Sequence, residues 1–161
     1  MRKWVSMKRL AFGMMLLGAL GLSATRAQAG VLAEKKKVDA FLEAEAKEPG
    51  AVKTPSGMIF RSLKPGAGPA PRATDRVQVH YEGSFIDGTV FDSSIQRGEP
   101  TEFPLNAVIN CWAEGLQRMK VGEKARLSCP PGIAYGDRGR PPRIPPGTTL
   151  VFEVELLQIL K

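Results

Sequence analysis

The stretch DRVQVHYEGSFIDGTVFDSS, residues 75–94, contains the pattern that decides the fold. Apolar and polar residues alternate along its first half, which is typical of an antiparallel strand with one buried face. Asp87-Gly88 then predicts a tight hairpin turn, because both residues tolerate the turn's positive φ angles. The second half returns as the partner strand. The residues on the predicted buried face are Val77, Val79, Tyr81 and Phe85.

Three further stretches alternate in the same way and extend the predicted sheet. They are GMIFRSLK (57–64), EKARLSCP (123–130) and TTLVFEVELLQIL (148–160). Between them, CWAEGLQRM (111–119) is amphipathic and long enough for two or three turns of helix. About five antiparallel strands and one short helix predict an α+β domain.

A second helix is predicted for residues 31–48, before the strands begin. Val31, Val38, Phe41 and Leu42 recur at roughly helical spacing. Pro49-Gly50 ends the pattern, because proline and glycine both stop helices.

The first 29 residues have the form of a secretory signal. They contain five basic residues and no acidic one, an apolar run over 10–24, and the small residues of AQA at 27–29. This predicts cleavage before Gly30. The alternative is an uncleaved membrane anchor, but the run is shorter than the roughly 20 residues that a spanning helix needs. We therefore expect an exported protein, periplasmic if the source is a Gram-negative bacterium.

The positive charge of the chain lies mostly in that segment. The net charge is +7, but without the five basic residues of 1–29 only 18 basic residues stand against 16 acidic ones. A nucleic-acid binder needs clustered basic residues in its folded part. The one such cluster, Arg138, Arg140 and Arg143, is short and rich in proline, so this class is disfavoured.

The chain lacks the residue patterns of metal, covalent and nucleotide chemistry. Its single histidine, His80, falls on the polar face of the first predicted strand. No zinc-ligand spacing, nucleophile elbow or phosphate-binding glycine loop occurs in the sequence. We expect no cofactor and no metal, and a local hydrogen bond for His80.

Several apolar and aromatic residues fall near turns, where pockets form. They include Phe91, Trp112, Tyr135 and Ile144, and Asp92 follows Phe91 directly. Each of these residues taken alone is also explained by ordinary core packing. Their positions therefore do not distinguish a pocket from a core.

Five short sequence motifs, which occur in a fixed order along the chain, give more specific information. They are VHYEG (79–83), DGTVFDSS (87–94), VINCWAEGLQRMKVGEKARL (108–127), AYG (134–136) and IPPGTTLVFEVELL (144–157). Together they resemble the FKBP-type peptidyl-prolyl cis-trans isomerases, or rotamases, from about Met58 to Lys161. The resemblance implies a curved antiparallel sheet wrapped around one short helix. It also implies an apolar pocket for proline-containing polypeptides and, in many members, macrolide inhibitors.

The resemblance assigns roles to ten positions. Trp112 would form the floor under the proline ring, and Tyr135 and the backbone N–H of Ile109 would bind carbonyl groups. Arg97 would steady Asp92. The implied catalytic residues are Tyr81, Asp92 and Tyr135. The implied substrate-binding residues are Phe91, Val108, Ile109, Trp112, Ile144, Phe152 and Arg97.

The chain departs from the family pattern at two pocket positions. Thr101 stands where many members have an aromatic residue, which lowers one wall, and Arg140 replaces a histidine or small residue above the pocket. The expected layout is a signal at 1–29, a helical extension at 30–50 and an isomerase domain at 51–161. The extension resembles the end of the linker helix of larger dimeric members, whose dimerisation segment we do not find, so we expect a monomer.

The two cysteines, Cys111 and Cys129, remain to be explained. The implied fold packs the helix that begins near Cys111 on the strand that ends at Cys129. In an exported protein this favours a disulfide, and two buried neighbouring thiols are the alternative. No histidine lies at a plausible spacing to activate a thiolate, so a catalytic cysteine is disfavoured.

The expected function is catalysis of X-Pro bond rotation in folding exported proteins. Rotation breaks amide resonance, and an apolar pocket that binds the twisted amide better than the planar one accelerates it. The alternative is a chaperone or proline-binding module that uses the same pocket with incidental turnover.

Overall fold

The computed structural model describes residues 19–160, with side chains from Thr25 onward. These residues fall into two compact units, one up to Lys36 and one from Lys37 onward. The predicted signal lies outside the described residues up to position 18. Among the described helices, none has the length and apolar character that a membrane span requires.

Seven strands form one sheet in which all pairs are antiparallel. The order is β1-β2-β6-β7-β3-β4, and β5 pairs with β3. The α+β prediction is confirmed, but the predicted count of about five strands omitted β1 and β5. These two strands have three and four residues, too few to show alternation. The strands are β1 Ala51–Lys53, β2 Ile59–Lys64, β3 Arg76–Phe85, β4 Val90–Ser93, β5 Thr101–Pro104, β6 Lys124–Cys129 and β7 Leu150–Leu160.

Strand β3 is central, because it pairs with β4, β5 and β7. The predicted inward residues Val77, Val79 and Tyr81 are buried, and Phe85 is half-buried. The hairpin from β3 to β4 turns at Gly88, whose φ of 88° requires glycine. The alternation read from residues 75–94 therefore describes the centre of the sheet correctly.

Residues 19–160 also form three α-helices, α1 Ala19–Lys47, α2 Ser94–Arg97 and α3 Asn110–Arg118, besides three short 3-10 helices. Helix α3 is the predicted short internal helix, and it buries Cys111, Trp112 and Leu116 in the core. Gly115 lets it approach the sheet, since a Cβ there would lie 2.7 Å from Leu127 Cδ1. A larger residue would push the helix away from β6.

A disulfide joins Cys111 of α3 to Cys129 of β6, with 5.9 Å between the Cα atoms. The predicted pairing is confirmed, and both residues are fully buried. The bridged residues are 18 positions apart, a separation for which the chain-entropy model gives about 3 kcal/mol of stabilisation. The bridge holds the first turn of α3 on the sheet.

Helix α1 begins at Ala19 rather than at the predicted residue 31. The predicted apolar stripe is only partly correct, because Val31 is 70% exposed while Val38, Phe41 and Leu42 are half-buried. Glu45 interrupts this apolar stripe, and it connects α1 to strand β6. Its carboxylate accepts hydrogen bonds from Arg126 Nε at 2.9 Å and Nη2 at 3.1 Å.

Candidate active site

A cavity of about 270 Å³ opens between the sheet and the N-terminal end of α3. Strands β3, β4, β5 and β7, helix α3 and the loop after β6 all contribute to its walls. Its lining residues are Tyr81, Phe91, Asp92, Phe103, Ala107, Val108, Ile109, Trp112, Tyr135, Arg140 and Phe152. Aromatic and aliphatic side chains predominate, and polar groups lie at one side, as is typical of ligand sites.

Trp112 forms the base of the cavity and is only 3% exposed. Its ring meets three aromatic rings edge to face: Tyr81 at 5.1 Å, Phe103 at 5.3 Å and Phe152 at 5.4 Å between centroids. Such pairs are worth about 0.5–1.5 kcal/mol each beyond the buried area. The buried indole Nε1 has no hydrogen-bond partner in the described part of the chain. The floor therefore consists of closely packed aromatic rings together with one unpartnered indole N–H.

Gly83 makes room for the aromatic side of the cavity. It lies in β3, opposite Asp92 of β4 and Phe152 of β7. A Cβ at Gly83 would lie 2.6 Å from Phe91 Cζ and 2.9 Å from Phe152 Cε1. These two rings pack edge to face with centroids 5.8 Å apart. Glycine at this position lets both rings lie over the strand.

Tyr81, Asp92 and Arg97 form a hydrogen-bonded triad at the polar side. The Tyr81 hydroxyl donates to Asp92 Oδ2 at 2.6 Å, and Arg97 Nη1 donates to Asp92 Oδ1. Arg97 Nη2 also donates to the Tyr81 hydroxyl at 3.1 Å. The polar groups are thus satisfied by one another.

The triad shifts the pKa values of its acidic members in opposite directions. Burial raises the pKa of Tyr81, and its hydrogen bond to the Asp92 carboxylate raises it further. Burial alone would also raise the pKa of Asp92. The hydrogen bonds from Tyr81 and Arg97, with the charge of Arg97, outweigh burial and lower the pKa of that carboxyl. Near neutral pH, Tyr81 is protonated and Asp92 is ionised.

The FDSS sequence (91–94) explains how the triad forms. Asp92 lies in β4, and the next residue, Ser93, caps α2 by accepting a hydrogen bond from the Gln96 N–H at 3.3 Å. The single turn of α2 then brings Arg97 back to Asp92. A local capping motif therefore places the arginine.

Ser94 helps to position Tyr81 of the triad through a hydrogen bond to its backbone. Its buried Oγ accepts a hydrogen bond from the Tyr81 N–H at 2.8 Å and lies 3.0 Å from His80 Nδ1. This is the local hydrogen bond predicted for His80. The histidine belongs to the support of the strand and does not line the cavity.

Besides the Trp112 indole and the Arg140 guanidinium, two further hydrogen-bond donors of the cavity have no partner within residues 19–160. The backbone N–H of Ile109, directly before α3, makes no hydrogen bond there, and neither does the Tyr135 hydroxyl. A carbonyl oxygen of a bound chain would satisfy either group. Arg140 lies over the Tyr135 ring, 6.0 Å from its centroid.

Eight of the ten predicted site residues line the cavity together. The other two line adjoining cavities: Ile144 lies beside Tyr135 and Arg140, and Arg97 lies beyond Asp92. Ile144 is 3% exposed and belongs to the core.

Residue-based prediction omitted Phe103 and Ala107 and placed Arg140 only above the pocket. Phe103 lies in the short β5, within a proline-rich stretch that has no recognisable pattern. Its only sequence signal is that it is aromatic. Thr101, the departure noted above, is not among the lining residues; its hydroxyl accepts from Arg97 Nη2 at 3.4 Å.

Residues 19–160 contain no group of three or more metal-ligating side chains.

The fold and the cavity define a small α+β domain with a cavity, lined mostly by apolar side chains, between a sheet and a short helix. The family model for FKBP-type peptidyl-prolyl cis-trans isomerases matches residues 68–157. The chain belongs to this family.

Similar proteins extend the match beyond those residues. The FKBP-type 22 kDa peptidyl-prolyl cis-trans isomerase of Escherichia coli is 57% identical over 120 residues, which cover 74% of this chain and 58% of that protein. A peptidyl-prolyl cis-trans isomerase structure from Pseudomonas syringae has a TM-score of 0.72 at 40% identity, covering 78% of this chain and 92% of that one. The structure of FkpA from Escherichia coli has a TM-score of 0.74 at 41% identity, covering 86% and 70%. The chain spans 52% to 61% of the length of the first curated relatives it matches.

Proposed function

We propose that this protein is a peptidyl-prolyl cis-trans isomerase that accelerates X-Pro bond rotation in folding exported proteins. The observation that carries the proposal is the pairing of an aromatic floor with two unpartnered donors, Ile109 N–H and Tyr135 Oη. A proline ring fits the floor, and peptide carbonyls fit the donors. Family membership supports the same activity.

The mechanism follows from the chemistry of the amide. The bond rotates over a barrier of about 18–20 kcal/mol because rotation breaks resonance. Without catalysis the exchange takes tens to hundreds of seconds. Twisting the amide reduces the polarity of its carbonyl, so an apolar cavity destabilises the planar form relative to the twisted one. Catalysis is then differential binding of the twisted amide, with no covalent intermediate.

Each group has a proposed role in that step. Trp112 supports the proline ring, and Phe91, Val108 and Phe152 form walls around it. Ile109 N–H and Tyr135 Oη hold the flanking carbonyls, which fixes the chain while the bond turns. Asp92 and Tyr81 face the amide at the polar side, and Arg97 keeps Asp92 in place. Ile144 supports the loop of Tyr135 from the core.

The direct test is a protease-free assay of cis-trans exchange on a proline peptide and on a protein whose refolding is limited by proline. The processed protein should accelerate both reactions. A folded preparation that is inactive on every X-Pro substrate contradicts the proposal. If it suppresses aggregation in the same tests without changing exchange rates, the chaperone alternative is favoured.

We also propose that the chain is exported, periplasmic in a Gram-negative host, with a signal at 1–29, a helical extension at 30–50 and the isomerase domain at 51–161. The basic and apolar pattern of the first 29 residues supports the signal. The disulfide suits an oxidising compartment. The start of β1 at Ala51, just after Pro49-Gly50, marks the end of the helical extension, although residues 37–50 belong to the same compact unit as the sheet. Mass spectrometry of the protein from fractionated cells should find a chain that begins at Gly30.

The proposed oligomeric state is a monomer. The large apolar side chains exposed within residues 25–160 are scattered over several elements, which is normal for a monomer. Light scattering of the processed protein should give the mass of one chain.

We further propose that macrolide inhibitors compete for the same cavity, but weakly. Thr101 turns its hydroxyl to Arg97 and adds no wall. Substitution Thr101→Phe should tighten macrolide inhibition more than it changes turnover.

A further inference from the structure

The loop between β6 and β7 carries three arginines, and only two of them face the substrate region. Arg140 lines the main cavity and an adjoining one, and Arg143 lines two adjoining cavities. Arg138, in the same loop, lines none of the three. All three side chains are exposed.

The charges at this rim are unbalanced. The charged residues that line the three cavities are Arg97, Arg140 and Arg143 against Asp92, three positive charges and one negative. Asp92 has both oxygens occupied by Tyr81 and Arg97. Neither Arg140 nor Arg143 has an ion-pair partner among residues 19–160. Two guanidinium groups are therefore available beside the proline site.

The two available groups differ in position. Arg140 is held near the proline site by its contact with the Tyr135 ring. Arg143 stands further out, in cavities that also include Phe91 and Asp92 but not Trp112. The proline ring of the substrate would lie on Trp112. A substrate side chain that contacts Arg143 must therefore belong to a different residue of the substrate.

We propose that Arg140 and Arg143 select prolyl segments that carry an aspartate or glutamate close to the proline. The inference rests on the proposed isomerase function and names the substrate class of that site. A carboxylate pairs well with a guanidinium through two parallel hydrogen bonds. A lysine in the same position would be repelled by both arginines.

The experiment compares capped hexapeptides that are identical except for Glu, Gln or Lys, placed two residues before the proline in one series and two residues after it in the other. In low salt, kcat/KM should fall in the order Glu, Gln, Lys in at least one series. The Glu-to-Lys ratio should be about 1.5- to 5-fold, the range that exposed ion pairs give. Salt at about 1 M should bring it close to one, because the Debye length falls to about 3 Å.

Matched variants identify the residues responsible. The double substitution Arg140→Gln and Arg143→Gln should reduce the Glu-to-Lys ratio toward one. Arg138→Gln removes the same kind of charge from the same loop and should preserve most of the ratio. The readout is the ratio between peptides, so a general loss of turnover does not imitate the result.

Three outcomes would overturn the inference: equal rates on all peptides, a ratio that survives the double substitution, or a ratio that Arg138→Gln reduces equally. In each case the enzyme still turns over the Gln peptides. Absence of turnover on every peptide contradicts the proposed function itself, so the two failures are distinguishable.

Discussion

The floor and the polar side of the cavity are built by opposite means. Trp112 is buried, surrounded by aromatic rings and next to a disulfide that joins α3 to β6. Asp92 has a side chain that is 26% exposed and is held by a tyrosine and an arginine. The floor is thus part of the hydrophobic core, whereas the polar side is a hydrogen-bonded layer over it. Damage to the floor should affect fold and function together, and damage to the polar side should affect mainly function.

Trp112→Ala should have the largest effect. Removing a buried tryptophan costs about 3–5 kcal/mol of stability, and loss of the proline platform should lower kcat/KM by about 100-fold, or about 2.7 kcal/mol. Urea denaturation and the exchange assay measure the two effects. Trp112→Phe is the matched control and should retain more of both. Normal stability of the alanine variant would contradict the view that the floor belongs to the core.

Loss of the disulfide should have the next largest effect on stability. The double substitution Cys111→Ala and Cys129→Ala should lower the free energy of unfolding by about 3 kcal/mol. Chemical denaturation with and without reductant measures this, and reductant should affect the native protein but not the variant. The folded fraction should retain much of its activity, since neither cysteine lines the cavity. An unchanged denaturation midpoint would show that the bridge is dispensable.

Asp92→Asn should reduce activity while having only a small effect on stability, in contrast to the two preceding changes. Because the site is partly exposed, we expect a stability loss of only about 1 kcal/mol. Activity should fall by about tenfold, or about 1.4 kcal/mol, because the polar side of the site loses the carboxylate that faces the amide. Glu82→Gln provides a control on the neighbouring β3 strand, outside the cavity. If Asp92→Asn destabilised the protein as much as Trp112→Ala, the polar side would contribute to the stability of the fold as much as the floor does, which would contradict the contrast between them.

Acid should produce the smallest effect, and only on the polar side. The pKa of Asp92 is lowered in the folded state, so its ionisation stabilises the fold above the ordinary aspartate pKa of about 4. This contribution is lost as the pH falls from about 4 through the lowered pKa. The difference in unfolding free energy between native protein and Asp92→Asn should therefore shrink as the pH falls from 6 through the lowered pKa of Asp92, by up to about 1 kcal/mol. The comparison also cancels the acid titration of Glu153, whose pKa is lowered by Lys124 and Arg126 despite burial.

The parts predicted well from sequence are those set by local patterns. Alternation in 75–94 identified β3, its hairpin and its inward residues, because side chains of a strand alternate between faces. The order of five motifs indicated the family and eight of the ten residues that meet in the cavity. Strand β5 was missed because its four residues, the last of which is a proline, are too few to show the alternation of apolar and polar residues that indicates a strand. The ion pair of Glu45 could not be predicted, because its partner, Arg126, lies 81 positions away.

The sequence by itself determined the alternation of the longer strands, the hairpin turn, the short helix that carries Trp112, and the presence of two cysteines suited to an oxidising compartment. These depend on each residue and its immediate neighbours. Only the tertiary structure decided that Phe103 packs on Trp112, and that Arg140 and Arg143 face the cavities while Arg138 does not. Such choices depend on contacts between residues that are distant along the chain, which become definite only when the sheet closes over α3.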